Sequence, residues 1–208
     1  HLSIRRQRQM CIRDRNGNCE VGDMLIDFGS KLSTEGRLAV ALADPSTEAI
    51  REMSMKDRKW EMRALGRLLS MRSVLFDEKA MEYTIVDTSP GIQYSSINAI
   101  VSSDLVLIVT SPSEPDLEGT ERMLREMYSV FQKKTAVLVN RVPEEMVSRE
   151  KEEYSNKIAT FLASPVLGVI PCYCDILRTN NAIRFALDNP KHQFTTYMQD
   201  VAEKIRRL

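Results

Sequence analysis

From residue 38 onward, short apolar runs alternate with longer stretches in which apolar residues recur every three or four positions. The short runs read as buried strands and the longer ones as amphipathic helices. LAVALA (38–43) is the first predicted strand. Asp44 suits a helix N-cap, with Pro45 at the first helical position. A long helix is then expected over 46–77, its inner face made by Met62, Leu65, Leu68, Leu69, Leu75 and Phe76. YTIVDT (83–88) is the second strand, 95–102 a short helix, and DLVLIVT (104–110) a continuous apolar strand suited to a sheet covered on both faces. A helix over 117–133 carries Leu117, Leu124, Met127, Tyr128 and Phe131 on one side. TAVLVN (135–140) is the next strand. A charged helix over 147–162 follows, with the apolar line Val147, Tyr154, Ile158, Phe161 and Leu162. VLGVIP (166–171) is the last strand. Helices over 177–187 and 194–208 close the chain, the second turning Phe194, Tyr197, Met198, Val201 and Ile205 inward. Residues 16–37 have no such regularity: VGDMLIDFGS reads as a short helix or as the remnant of an element whose neighbours are absent.

Strands alternating with helices specify an α/β fold, doubly wound about a mostly parallel sheet with helices on both faces. A chain of 208 residues supports one sizeable core. It is 43% apolar and 28% charged with a formal net charge of zero, so global charge does not point to nucleic acid. No apolar run reaches the ~18–20 residues of a membrane helix. Four cysteines (Cys11, Cys19, Cys172, Cys174) are too few for a disulfide scaffold, and a reducing cytoplasm is the expected compartment.

Residues 1–15, HLSIRRQRQMCIRDR, differ from the rest: five arginines, one acidic residue and no structural period. They resemble the translated sequencing-adapter peptide that contaminates reading frames from environmental assemblies, and such a segment is set aside from fold reasoning. The alternative is a natural basic arm for an acidic surface. The expectation is a non-native 1–15 and a partial domain over 16–208, with an upstream portion missing.

Ligands of open α/β sheets bind outside the carboxyl ends of the strands. Asp87, Asn140 and the turn at Pro171 fall at predicted strand ends. A carboxylate at position 87 can hold Mg²⁺ through water while the ion bridges phosphate oxygens. Gly91 lets the backbone pass close to a terminal phosphate. Alternatively, Asp87 caps a turn whose further formers are Thr88 and Ser89. Asn140, followed by Arg141, offers a donor and an acceptor that match a purine edge, although Asn is also an ordinary turn residue. Cys172 and Cys174, one residue apart without a second pair, make a poor zinc or iron–sulfur site and read as buried strand-end thiols. His192 lies in a predicted loop, and no serine–histidine pair supports hydrolytic triad chemistry. Lys204, Arg206 and Arg207 beside an apolar face permit membrane-surface binding by the last helix, but packing against the domain is the favoured reading.

From about residue 20 to its end the chain resembles the MinD/ParA-type ATPases of the deviant P-loop class. The block YTIVDTSPGIQYSSINAIVSSDLVLIVTSPSEPDLEGTERML (83–124) carries the likeness: Asp87, then Pro90-Gly91, Asn98-Ala99 and Thr110 at the end of an apolar strand. Asn140-Arg141 is similar to the family's adenine-recognition position, and LGVIP (167–171) to its last strand. The resemblance implies that Asp87 holds magnesium through water, Gly91 lies near the γ-phosphate, and Asn140 with Pro171 frames adenine. It implies ATP and Mg²⁺ as cofactors of the full-length form, an ATP-dependent homodimer, and a regulatory or cargo protein that reads the dimer state. A membrane surface is a further candidate partner; direct sequence-specific reading of nucleic acid is not implied.

One departure is large. A Gly-Lys-Thr or Gly-Lys-Ser loop, whose N–H groups and lysine cradle phosphates, occurs nowhere in the chain. The chain as given is therefore expected not to hydrolyse ATP, and its sheet to be incomplete at the N-terminal side. The leading expectation is the C-terminal part of a MinD/ParA-like ATPase, a nucleotide-dependent switch in division-site placement, chromosome partitioning or protein positioning. Its alternative is a degenerate, non-catalytic interaction scaffold. A third reading is an unrelated doubly wound binding domain in which DTSPG is only a turn.

Overall fold

A computed structural model of the chain describes residues 21–28, 36–43, 46–88, 94–128, 131–178 and 185–208. The chain divides into two compact units, His1–Ser102 and Ser103–Leu208.

The first unit begins with the one-turn helix α1 (Val21–Met24), then β1 (Ile26–Asp27) and β2 (Ala39–Val40), paired antiparallel. LAVALA thus contributes only a two-residue strand, and Asp44 and Pro45 lie outside the described residues. The helix expected over 46–77 is broken into α2 (Thr47–Ser54) and α3 (Arg58–Ser73), continued by a π-helical turn (Val74–Glu78). The break lies at Asp57. Its extended backbone (φ −88°, ψ 169°) and a carboxylate that accepts from the Trp60 N–H at 2.8 Å make it an N-cap, which starts a new helix. Helix α4 (Tyr94–Ser102) packs on α3, with the Asn98 amide donating to the Glu61 carbonyl at 3.2 Å.

The predicted inner face of 46–77 is only partly covered. Leu75 is buried, but Met62, Leu69 and Phe76 are exposed. The reason lies in the stretch predicted as the second strand. Residues 83–88 form no strand, and Ile85 is 92% exposed. A strand requires a neighbour for its N–H and C=O groups, and among the described residues none lies alongside. Without that strand, the only sheet among the described residues of this unit is the short β1–β2 pair.

The second unit follows the predicted pattern closely. It comprises β3 (Leu105–Thr110), α5 (Glu114–Met123) extended by a π-helical turn (Leu124–Tyr128), β4 (Lys134–Val142), α6 (Glu144–Leu162) and β5 (Val166–Pro171). After these come α7 (Cys174–Arg178), α8 (Phe185–Asp188) and α9 (Gln193–Arg206). The helix expected over 177–187 is thus two shorter ones, with 179–184 outside the described residues. The strands form a parallel sheet in the order β3-β4-β5.

Alternation along the strands sends side chains to two layers. Ile108, Val137, Val139 and Val169 pack with Val147, Ile158 and Leu162 of α6 and with Leu124. Leu138 and Ile170 point the other way and pack with Phe194, Met198, Val201 and Ile205 of α9. Helices therefore cover both faces, as a doubly wound fold requires. The apolar face of α9 is consumed in this layer. One member of the predicted α6 line, Phe161, is instead 51% exposed, because it lies at the edge of the helix face that meets the sheet. No helix among the described residues is long and apolar enough to cross a membrane.

Candidate functional site

Strand β4 runs through the core with Ala136, Val137 and Val139 fully buried, then leaves it at Asn140. Register shows how. Val139 pairs with Val169 and Val142 with Pro171, so Asn140 and Arg141 together face Ile170 alone. This is a β-bulge, a device that bends a strand end and re-aims its side chains. Arg141 takes the left-handed conformation (φ 61°), and the Asn140 side-chain carbonyl accepts the Arg141 N–H at 2.9 Å. The result is a half-buried Asn140 with its NH₂ group directed elsewhere than its own backbone, beside an exposed Arg141.

Pro171 ends the neighbouring strand and is buried. It has no N–H to place in the ladder, and the next donor, Cys172 N–H, reaches the Val142 carbonyl at 2.9 Å. Asn140, Arg141 and Pro171 are thus brought to adjacent strand ends of one sheet. Asp87 belongs to the other unit, where it lies in exposed, non-strand backbone, a correction to its predicted place at the end of a buried strand. Gly91 lies outside the described residues. Cys172 is an exposed free thiol, not the buried one expected, because it follows the last ladder position of β5. Nothing is described of the Cys174 side chain.

At the end of β3, Thr110 is buried and its hydroxyl lies 3.0 Å from that of Thr120. The Ser111 hydroxyl donates to the Asp116 carboxylate, and Ser113 caps α5 by accepting the Asp116 N–H at 3.4 Å. Side-chain hydrogen bonds to its carboxylate, from Ser111 first and then from Ser113, hold Asp116 below the ordinary carboxylate range against the opposing effect of burial.

Sequence reasoning missed a second cluster, next to Pro171. His192 is the last loop residue before α9 and caps it: its Nδ1 accepts the Phe194 N–H at 3.1 Å, and its Nε2 lies 2.9 Å from Asp175 Oδ2. Its ring meets those of Tyr173 and Phe185 edge-on, with centroids 5.1 and 4.9 Å apart. Burial acts to raise the Asp175 carboxyl, but hydrogen bonds from His192 and the Ile176 N–H outweigh it and hold the group low. Among the described residues the buried Tyr173 hydroxyl has no hydrogen-bond partner, and burial pushes it up to about 12. A histidine directly before a predicted helix was the available signal, since Nδ1 can cap as an asparagine does.

For a nucleotide the fit is partial. Asn140 is half-buried and Arg141 exposed at one strand end, and the neighbouring strand end carries Pro171, which is buried. The metal side is not assembled: among the described residues no group of three His, Cys, Asp or Glu side chains could hold an ion. No chemical step can be built on it.

No family model matches the chain. The septum site-determining protein MinD of Thermotoga maritima is 28% identical over 128 residues, 60% of this chain and 47% of that protein. The solved MinC:MinD cell division complex of Aquifex aeolicus superposes with a TM-score of 0.71 at 18% identity, over 96% of this chain and 72% of that one. These likenesses support a MinD/ParA-type domain. The Pyrococcus furiosus cell division ATPase MinD gives a TM-score of 0.62 at 19% identity over 92% of this chain. At such identities the structures show the fold, the α/β arrangement of the P-loop ATPases. The chain spans about half the length of its MinD relative from Thermotoga.

Proposed function

We propose that this chain carries the base-recognition side of a MinD-like ATPase, a nucleotide-dependent switch that works in the cytoplasm in division-site placement, chromosome partitioning or protein positioning. The observation that carries the reading is the convergence of Asn140, Arg141 and Pro171 at adjacent parallel strand ends, where an open α/β sheet takes its ligand. In this reading the Asn140 NH₂ donates to a ring nitrogen of adenine and Pro171 lies against the base. Asp87 holds Mg²⁺ through water and Gly91 approaches the γ-phosphate. The working form is an ATP-dependent homodimer read by a regulatory or cargo protein. MinD of Aquifex is found complexed with MinC, which makes a cell-division partner the first candidate.

A second reading, a non-catalytic interaction scaffold, draws on two observations: the chain contains no Gly-Lys-Thr or Gly-Lys-Ser loop, and Asp87 is exposed. Calorimetric titration of the protein encoded by the complete native locus with Mg-ATP separates the two. Micromolar binding, weakened about tenfold by Asn140→Ala as the loss of one hydrogen bond to a base requires, supports the ATPase. Absence of binding at millimolar ATP leaves the scaffold.

A further inference from the structure

His192 uses both ring nitrogens. Because Nδ1 accepts the Phe194 N–H at 3.1 Å, it carries no proton, and the proton of the neutral ring is on Nε2. That N–H then donates to Asp175 Oδ2 at 2.9 Å, while Asp175 Oδ1 accepts the Ile176 N–H at 2.9 Å. Asp175 is the second residue of α7, in the turn that begins at Pro171. One imidazole therefore joins the start of α9 to the start of α7. Tyr173 lies between Pro171 and Asp175 and contributes no hydrogen bond through its hydroxyl, so ring-edge contacts with His192 and Phe194 locate it. On the Pro171 side the backbone is held by Cys172 N–H on the Val142 carbonyl.

We propose that His192 is a positioning residue: as the neutral Nε2–H tautomer it fixes the turn from Pro171 to Arg178 by bridging Asp175 to the first turn of α9. The turn is thus held at one end by the Val142 carbonyl of the sheet and at the other by His192 at the start of α9. Its bearing on nucleotide binding rests on the reading that Pro171 frames the base; the bridge itself does not. Asn at 192 retains an acceptor for the α9 N–H groups but is too short to reach Asp175, whereas Phe retains the ring packing and loses both hydrogen bonds.

The test is hydrogen exchange and NMR on the full 208-residue chain without nucleotide. The chain has only two histidines, so the His192 ring is assigned from one variant. A resolved, slowly exchanging Nε2–H resonance is expected in the unmodified protein and is expected to vanish in Asp175→Ala. His192→Asn should lower protection of the Cys172 and Ile176 amides about tenfold and leave the first turn of α9 protected. His192→Phe should lower both. Unchanged protection at Cys172 and Ile176 in His192→Asn, or a rapidly exchanging ring proton in the unmodified chain, overturns the proposal. Loss of Mg-ATP binding in the titration above refutes the base-site reading and leaves these measurements untouched.

Discussion

Gly168 is the position at which packing can be tested most directly. It sits in β5 opposite Leu138 of β4, between the sheet and α9. A Cβ placed there would lie 3.0 Å from Val201 Cγ2 and 3.2 Å from Leu138 Cδ1. Carbon atoms prefer about 3.5–4.0 Å, so both neighbours must give by several tenths of an ångström. Leu138 can change rotamer. Val201 is β-branched on a helix, held to one χ1 well, and 3% exposed, so relief there means moving α9. Inserting a methyl into such a layer costs about 1–3 kcal/mol. Removing the glycine's backbone freedom returns about 0.5–1 kcal/mol. Gly168→Ala is therefore expected to destabilise by about 1–2 kcal/mol, a fall in melting temperature of about 2–4 °C per kcal/mol for a chain of this size. Circular dichroism followed through thermal and urea unfolding measures it. Gly119→Ala is the control: it lies inside α5 with nothing within 4 Å of the added atom, so it should stabilise by roughly 0.5–1 kcal/mol. Combining Gly168→Ala with Val201→Ala should cost about 1 kcal/mol less than the two single losses added together. A neutral or stabilising Gly168→Ala, or strict additivity in the pair, would refute the packing argument.

Ala163 ends α6 in the left-handed conformation (φ 48°), and Ser164 N–H closes on the Ala159 carbonyl at 3.2 Å; Ala163→Gly should raise stability by about 1 kcal/mol in urea unfolding. Asp116 has a folded-state pKa below its ordinary 3.8, so its contribution to stability is present above that value and is lost as the pH falls through the folded pKa. The stability difference between the natural chain and Asp116→Asn, from urea curves at successive acid pH values, should therefore shrink below pH 3.8. Tyr173 is raised from 10.0 to about 12, so its neutral form stabilises the fold below pH 10.0 and that contribution is lost as the pH rises toward about 12. Tyr173→Phe should weaken this alkaline transition. By removing an unpartnered hydroxyl it should also leave stability at pH 8 unchanged or higher by about 1 kcal/mol.

How far the fold was legible differs between the two units for one reason. Runs such as TAVLVN and VLGVIP are apolar on both faces, and each finds a parallel neighbour and a helix layer within Ser103–Leu208. VLGVIP begins and ends where periodicity places it, whereas the strand expected over 135–140 runs over Lys134–Val142, past a bulge; the two-layer core follows the alternation. YTIVDT has an equally strong strand pattern and finds no strand partner among the described residues. Periodicity states that a segment can be a strand; only a hydrogen-bonding neighbour makes it one. Met62, Leu69 and Phe76 were expected on the inner face of the helix and are exposed, the same failure seen from the helix side.

For the candidate site, residue type and strand-end position were readable from the chain, and with them the likeness to the MinD/ParA-type ATPases. The sequence by itself determined that the fold is α/β, that its second half is a parallel sheet, and that Asn140, Arg141 and Pro171 stand at strand ends. Those properties follow from local hydrophobic period and turn chemistry, which act over a few residues. Only the tertiary structure decided that Asn140 and Arg141 form a bulge opposite Ile170, that His192 bonds to Asp175, and that a Cβ at Gly168 would crowd Val201 of α9. Register, ring orientation and interlayer distance depend on atoms far apart in the chain, whose separation no local period encodes.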